Sequence, residues 1–478
     1  MPGVLSKQRI VAGPGFNRWL VPPAALAIHL SIGMAYGFSV FWLPLSRAVG
    51  ITQPTVCAPD MGFFARLVAT TCDWKISTLG VMYSLFFLFL GSSAAVFGRW
   101  VEREGPRKAG IAAAICWGGG LMISALGVYI HQILLLWIGS GVIGGCGLGL
   151  GYISPVSTLI KWFPDRRGMA TGMAIMGFGG GAMIGSPLAD VLMRHYGTAT
   201  SVGVWQTFVT MGAIYFVAMI GGALGYRLPA PGWQPAGWMP PVQGGAMITT
   251  RHVHIRTAPT TPQFWLLFTV LCMNVSAGIG VIGMASPMLQ EVFGGKLIGV
   301  AGALKDLTRD QRMQVATIGA GFAALLSLFN IAGRIGWASF SDFIGRKRTY
   351  VIFFTAGIIL YSFAPSAGKI GNIPLFVSIS CVILTMYGGG FATIPAYIAD
   401  LFGTRFVGAI HGLILLAWSA AGILGPQLVN NLREYQIDHG VQPAAAYNSV
   451  MYILAGLLVI GFLANLAVKP VAEQYYMT

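Results

Sequence analysis

Gly98-Arg99-Trp100-Val101-Glu102-Arg103-Glu104-Gly105-Pro106-Arg107-Lys108 returns, 240 positions later, as Ala338-Ser339-Phe340-Ser341-Asp342-Phe343-Ile344-Gly345-Arg346-Lys347-Arg348. Both are short basic stretches wedged between long apolar runs, and the offset is about half of the 478-residue chain. At the same offset Gly149 matches Gly389, Pro155 matches Pro395, Gly168 matches Gly408 and Gly172 matches Gly412. The chain therefore reads as a duplication, and the flanking runs decide what is duplicated.

A membrane-spanning helix needs about 20 mostly apolar residues. Twelve runs qualify, near 20–45, 76–98, 109–130, 133–158, 169–193, 204–226, 263–289, 314–340, 349–368, 374–399, 409–430 and 447–468. They lack the alternation of barrel strands and are about twice as long as such strands need to be. Composition agrees: 55% of residues are hydrophobic and 9% charged, against about 25% charged in soluble proteins. So few charges exclude a soluble enzyme or a disordered chain. The 66 glycines and 25 prolines suit membrane helices, where neighbours satisfy the backbone groups that breakers free. The expected fold is an all-α membrane protein with twelve transmembrane helices in two pseudo-symmetric six-helix bundles. The N-terminal bundle is expected over 1–226 and the C-terminal one over 263–478. A cytoplasmic linker, 227–262, carries Pro229, Pro231, Pro235, Pro240, Pro241, Pro259 and Pro262. Two parallel six-helix repeats are a transporter architecture, with the substrate site near the midplane between them.

The net charge of +15 lies in short clusters between apolar runs, with no basic face interleaved with aromatics, so nucleic acid is not an expected partner. With the N-terminus inside, 18 of the 29 Lys and Arg residues fall on the inside, 10 fall outside, and Arg334 falls within a run. The excess sets the orientation: a multi-pass protein of the cell inner (plasma) membrane with both termini cytoplasmic. The first run is too long for the core of a cleavable signal and reads as the first spanning helix.

Arg334 is the strongest single residue. A guanidinium at membrane depth costs at least a few kcal/mol, and its planar, permanently charged fork of donors suits a carboxylate. The alternative is a snorkelling or helix-pairing role, but that path crosses Trp337 and Phe340. Asn330, four residues earlier, shares its helix face, either as a site residue or in an interhelical bond.

The basic loops resemble the signature of the major facilitator superfamily. The second copy, Ser341 to Arg348, is close to the pattern; the first has Glu102 where Asp is usual. Within the superfamily the chain resembles the oxalate:formate antiporter and monocarboxylate transporter group. The carrying stretches are Gly151-Tyr152-Ile153-Ser154-Pro155-Val156, Lys161-Trp162-Phe163-Pro164-Asp165-Arg166-Arg167-Gly168, Asn330-Ile331-Ala332-Gly333-Arg334 and Ala417-Trp418-Ser419-Ala420-Ala421-Gly422. The resemblance implies that Arg334 and Asn330 line a carboxylate site, with Tyr36, Tyr152 and Tyr387 at pocket positions; packing is the alternative for the tyrosines. Trp418 stands where oxalate-carrying relatives are expected to have a Lys. One cation compensates one carboxylate, so a small monocarboxylate such as formate, lactate, pyruvate or glycolate is favoured over oxalate.

Proton coupling would need a titratable group, and His411, Asp190 and His29 are the intramembrane candidates. Anion exchange needs none, so symport and antiport both stay open. Glu102, Arg103, Asp342 and Arg346 are candidates for a conformational gate, pairing across the inner faces of the two halves. Cys57 and Cys72 share the first outside loop, where a disulfide is feasible and free thiols are the alternative. No metal-ligand spacing, P-loop or nucleophile elbow occurs, since His252 and His254 stand alone, so no metal, cofactor or enzymatic activity is expected. The expected partners are a small carboxylate, the bilayer and, for symport, protons. Oligomeric state is not legible. A membrane-embedded enzyme and an anion channel are the rival classes.

Overall fold

The computed structural model describes residues 5–163, 167–235, 237, 247–249, 251–403 and 405–477. Among the described residues twelve helices are long and apolar enough to cross a bilayer: α1 (Arg18–Leu45), α2 (Ile76–Gly98), α3 (Pro106–Tyr129), α4 (Ile133–Leu159), α5 (Gly172–Tyr196), α6 (Val204–Gly225), α7 (Pro262–Gly283), α8 (Arg309–Ile344), α9 (Arg346–Ile370), α10 (Ile373–Phe402), α11 (Ala409–Asp438) and α12 (Pro443–Ala467). An even number of crossings puts both chain ends on one face, called here the terminal face; the other is the distal face.

The duplicated stretch adopts one conformation twice. Helical hydrogen bonding continues from α2 to Glu104 and along α8 to Ile344. Gly105 and Gly345 then turn the chain at φ +95° and +87°, a region that L side chains rarely enter. The next helix starts at Pro106 in one half and Arg346 in the other. Gly149 and Gly389 also correspond: a Cβ on Gly149 would strike Ser93 and Leu90 of α2, and one on Gly389 would strike Trp337 of α8.

α8 starts at Arg309, ahead of its apolar run, because Thr308 and Gln311 form a capping box that satisfies the first free amides. Four spans are not uniformly wound. α1 tightens to a 3-10 helix over Gly33–Phe41, and α4 widens to a π-helix over Trp137–Gly144. α7 breaks at Met284 and resumes as Ala285–Phe293, and α11 breaks at Leu415. Buried backbone groups freed by a break need new partners; Gly283 O accepts the Trp42 indole N–H at 2.7 Å.

The two bundles meet along α5–α8 and α2–α11. α1 and α7 are the most enclosed spans, 83% and 78% buried, whereas α6, α9 and α12 are below 45% and form the lipid-facing rim. On the terminal face each bundle carries a small seat. Val11 bridges Leu228 under the first, and Val253 bridges Tyr476 under the second. In the distal loop between α1 and α2, Cys57 and Cys72 form a disulfide with Cα atoms 4.9 Å apart. Beside it the Asp73 carboxylate accepts the amides of Val49, Gly50 and Thr55 at 2.7, 2.9 and 2.8 Å.

Candidate functional site

α5 and α8 approach closely because Gly179 has no side chain. A Cβ there would lie 2.7 Å from Asn330 Oδ1 and 2.9 Å from Arg334 Nε. Ser327 donates its hydroxyl to Gly179 O across the same contact. Arg334 is fully buried at this seam. Its Nε donates to Asn330 Oδ1 at 2.7 Å and its Nη1 to Ile175 O, in the other half, at 3.1 Å. Among the described residues Nη2 has no hydrogen-bond partner, and no carboxylate pairs with the guanidinium.

Around that cation the structure assembles a cage of rings drawn from both halves. The Arg334 guanidinium carbon sits 5.2 Å from the centre of the Phe391 ring, an attractive arrangement for a cation. Phe391 lies 4.4 Å from Trp418, and Trp418 lies 5.3 Å from both Tyr152 and Phe178 and 5.7 Å from Phe87. Tyr36 packs on Phe178 at 5.0 Å and bonds its hydroxyl to that of Tyr387, across the two halves, at 2.7 Å. Trp418 is positioned by the break in α11, three residues after Leu415, whose carbonyl accepts its amide.

Asn330, Arg334, Tyr36, Tyr152, Tyr387 and Trp418 thus come together at one buried place. Besides Arg334 Nη2, the Asn330 Nδ2, Tyr152 hydroxyl and Trp418 Nε1 groups lack a partner among the described residues. All can donate, and donors around a fixed positive charge suit an anion. The rings exclude water and so strengthen that attraction. Sequence reasoning missed Phe87, Phe178 and Phe391, because single Phe residues inside apolar runs look like packing; the glycines of α5, Gly179 among them, are legible as close-approach positions, but not which of them faces Asn330.

The coupling candidates scatter. His29 stacks on Tyr152 at 5.4 Å, with its Nδ1 against Ala174 O and its Nε2 3.2 Å from Tyr152 O. His411 is buried on the short segment before the α11 break, and its Nε2 has no partner among the described residues. Asp190 is at the distal end of α5, paired with Arg194 at 3.2 Å and accepting Thr317 Oγ1 of α8 at 3.0 Å.

The gate candidates pair within their own halves. Arg346 binds Asp342 and lies 3.5 Å from Asp400. Arg103 binds Glu104, which also takes Lys108 at 2.6 Å. That Lys108 hydrogen bond and charge hold the Glu104 carboxyl below its ordinary range. The side chain of Glu102 lies outside the described residues. Polar contacts join the halves between the cage and the distal face. Trp42 reaches Gly283 O, Lys75 pairs with Asp438 at 3.0 Å, and Glu434 accepts Ser77 N at 2.7 Å and Ser77 Oγ at 2.6 Å. Sequence inspection had no means of pairing these ends.

Known proteins agree with this architecture. The chain is 25% identical over 410 residues to the uncharacterized MFS-type transporter YhjX of Escherichia coli, covering 85% of this chain and 86% of that one. It is 22% identical over 415 residues to the oxalate:formate antiporter of Oxalobacter formigenes, covering 86% and 83%. A bacterial homologue of the human lysosomal transporter Spinster, solved inward-facing and unoccupied, superposes with a TM-score of 0.62 at 15% identity, over 95% of this chain and 98% of that one. These relatives and this fold are those of transporters, not enzymes. The sequence profile described as Major Facilitator Superfamily matches residues 24–426, and the chain belongs to that superfamily.

Proposed function

We propose that the protein is a secondary carrier of small monocarboxylates, of the size of formate, lactate, pyruvate or glycolate, working by alternating access. The bundles over 1–226 and 263–478 rock about the site, joined by the 227–262 linker. The membrane is the cell inner (plasma) membrane and both termini are cytoplasmic, so the distal face is the outer one. The observation that carries the reading is Arg334: a buried cation at the seam of the halves, ringed by donors and without a carboxylate partner among the described residues. Leaving one charge of a buried pair uncompensated costs about 3–5 kcal/mol. An incoming carboxylate supplies the missing charge, and its two oxygens match the guanidinium fork.

Trp418 supports one carboxylate over two. Where a second cation would be needed, an indole packs among Phe87, Tyr152, Phe178 and Phe391. Oxalate:formate exchange is the second reading, favoured by the likeness to the Oxalobacter protein. Of the coupling candidates, His29 touches the cage, and proton symport would run through it; exchange requires no such group.

Counterflow in proteoliposomes tests the reading: labelled formate, lactate, pyruvate, glycolate and oxalate, with and without a pH gradient. A carrier exchanges labelled for unlabelled acid, whereas a channel or an enzyme does not accumulate label this way. Arg334→Lys keeps a charge and loses the fork, so uptake falls steeply while membrane insertion stays normal. Wild-type uptake in that variant refutes the assignment.

A further inference from the structure

Three arginines meet at the distal seam. Arg47 follows the end of α1, and the chain then turns so that Ile51 N bonds back to Arg47 O. Arg312, in the first turns of α8, reaches over this turn and donates to Thr52 O. Its other donors go to Leu307 O at 2.8 Å and Lys305 O at 3.3 Å. Arg309 crosses to the same half and donates to Thr198 O at 2.6 Å. Two guanidinium groups of the C-terminal bundle are therefore seated on the N-terminal bundle beside the third. Arg47 Nε is itself buried and has no partner among the described residues.

Three of the nearby acids are engaged elsewhere. Asp73 holds the Val49, Gly50 and Thr55 amides, Asp190 is taken by Arg194 and Thr317, and Asp306 caps Ala303 N. Asp310 is exposed in the first turn of α8. Among the described residues no ion pair neutralises Arg47, Arg309 or Arg312. Burial, and then the charges of Arg312 and Arg309, push the Arg47 guanidinium down to about 10. The cluster forms only when the distal ends of the two halves are together, so its self-repulsion opposes that closure unless an anion sits among the three.

We propose that Arg47, Arg309 and Arg312 form a second anion site, at the distal seam, that binds the carboxylate of a small organic acid and ties the two halves together there. The ligand class rests on the monocarboxylate reading; the site itself rests on the cluster. A carboxylate oxygen accepts from the unpartnered Arg47 Nε, and the anion offsets the repulsion that closure creates.

Binding of labelled formate to the purified full-length protein, at constant ionic strength, tests this. Arg334→Lys removes the central site, and the formate still bound reports the distal one. Adding Arg47→Gln lowers the remaining affinity at least about tenfold, and adding Arg47→Lys lowers it less. Should the Gln variant fail to insert, Arg309→Gln, altered on an exposed residue, replaces it and predicts the same direction. Equal binding with and without the Arg47 or Arg309 change overturns the proposal. So does full displacement of formate by equimolar chloride or methyl phosphate, which would make the site one for halide or for a lipid headgroup. The cargo reading fails separately, by wild-type formate transport in Arg334→Lys.

Discussion

Gly179→Ala puts a methyl group 2.7 Å from Asn330 Oδ1 and 2.9 Å from Arg334 Nε. Both atoms must retreat by several tenths of an ångström, and they are bonded to each other at 2.7 Å, so they move as a unit. Arg334 is also tied to Ile175 O, which limits where it can go. The guanidinium then meets the carboxylate off its fork geometry. A hydrogen bond to a charged group is worth about 1.5–3 kcal/mol, so losing one predicts a roughly 10- to 150-fold weaker apparent affinity. Gly336→Ala is the control: it sits on α8, two residues beyond Arg334, and a Cβ there meets nothing within 4 Å. By intrinsic helix propensity it should stabilise the protein by up to about 1 kcal/mol. The assay is concentration-dependent formate uptake into proteoliposomes, normalised to inserted protein. A wild-type half-saturation concentration in Gly179→Ala would show that the Arg334 position at the α5–α8 contact does not govern binding.

Other perturbations have distinct readouts. Glu434→Gln keeps the shape of the contact to Ser77 at the start of α2 but removes the charge that favours a helix N-terminus. Hydrogen exchange at the distal ends of α2 and α11 should rise about tenfold, at a cost of ~1.4 kcal/mol, while the α5–α8 core stays protected; unchanged exchange would count against a distal latch. Replacing Cys57 and Cys72 together with Ser opens a loop with a sequence separation of 15, for which chain entropy predicts a loss of about 3 kcal/mol. Trypsin should then cleave faster at Arg66 while helical circular dichroism is retained, and unaltered cleavage would mean that the Asp73 amide cluster alone holds the loop.

The spans and their duplication are legible in the sequence because both rest on local properties: apolar length, and a glycine where the chain must turn with positive φ. Arg334 is legible for the same reason, as a permanent charge where charge is expensive. What surrounds it is not. Phe87, Phe178 and Phe391 are ordinary apolar residues of three different helices, and only the packing of those helices makes them a cage. Gly179 is one of several glycines in α5, and nothing local says that it is the one facing Asn330. The contacts of Glu434, Asp438 and Arg312 depend on how one bundle is rotated against the other, a relation that no window of sequence contains. The start of α8 was hidden because Thr308 and Gln311 nucleate a polar turn, which an apolar count overlooks.

The tightened winding of α1 over Gly33–Phe41 governs more than length. At three residues per turn, side chains three apart stack in one file. Tyr36, Ser39 and Trp42 are spaced that way, and each meets the opposite half: Tyr36 at Tyr387, Ser39 at Ser286 N and Trp42 at Gly283 O. With about 100° per residue, as in an α-helix, the file would fan out by roughly 60° at each step. Rewinding that stretch would unzip the three grips in order without tilting the rod that carries them.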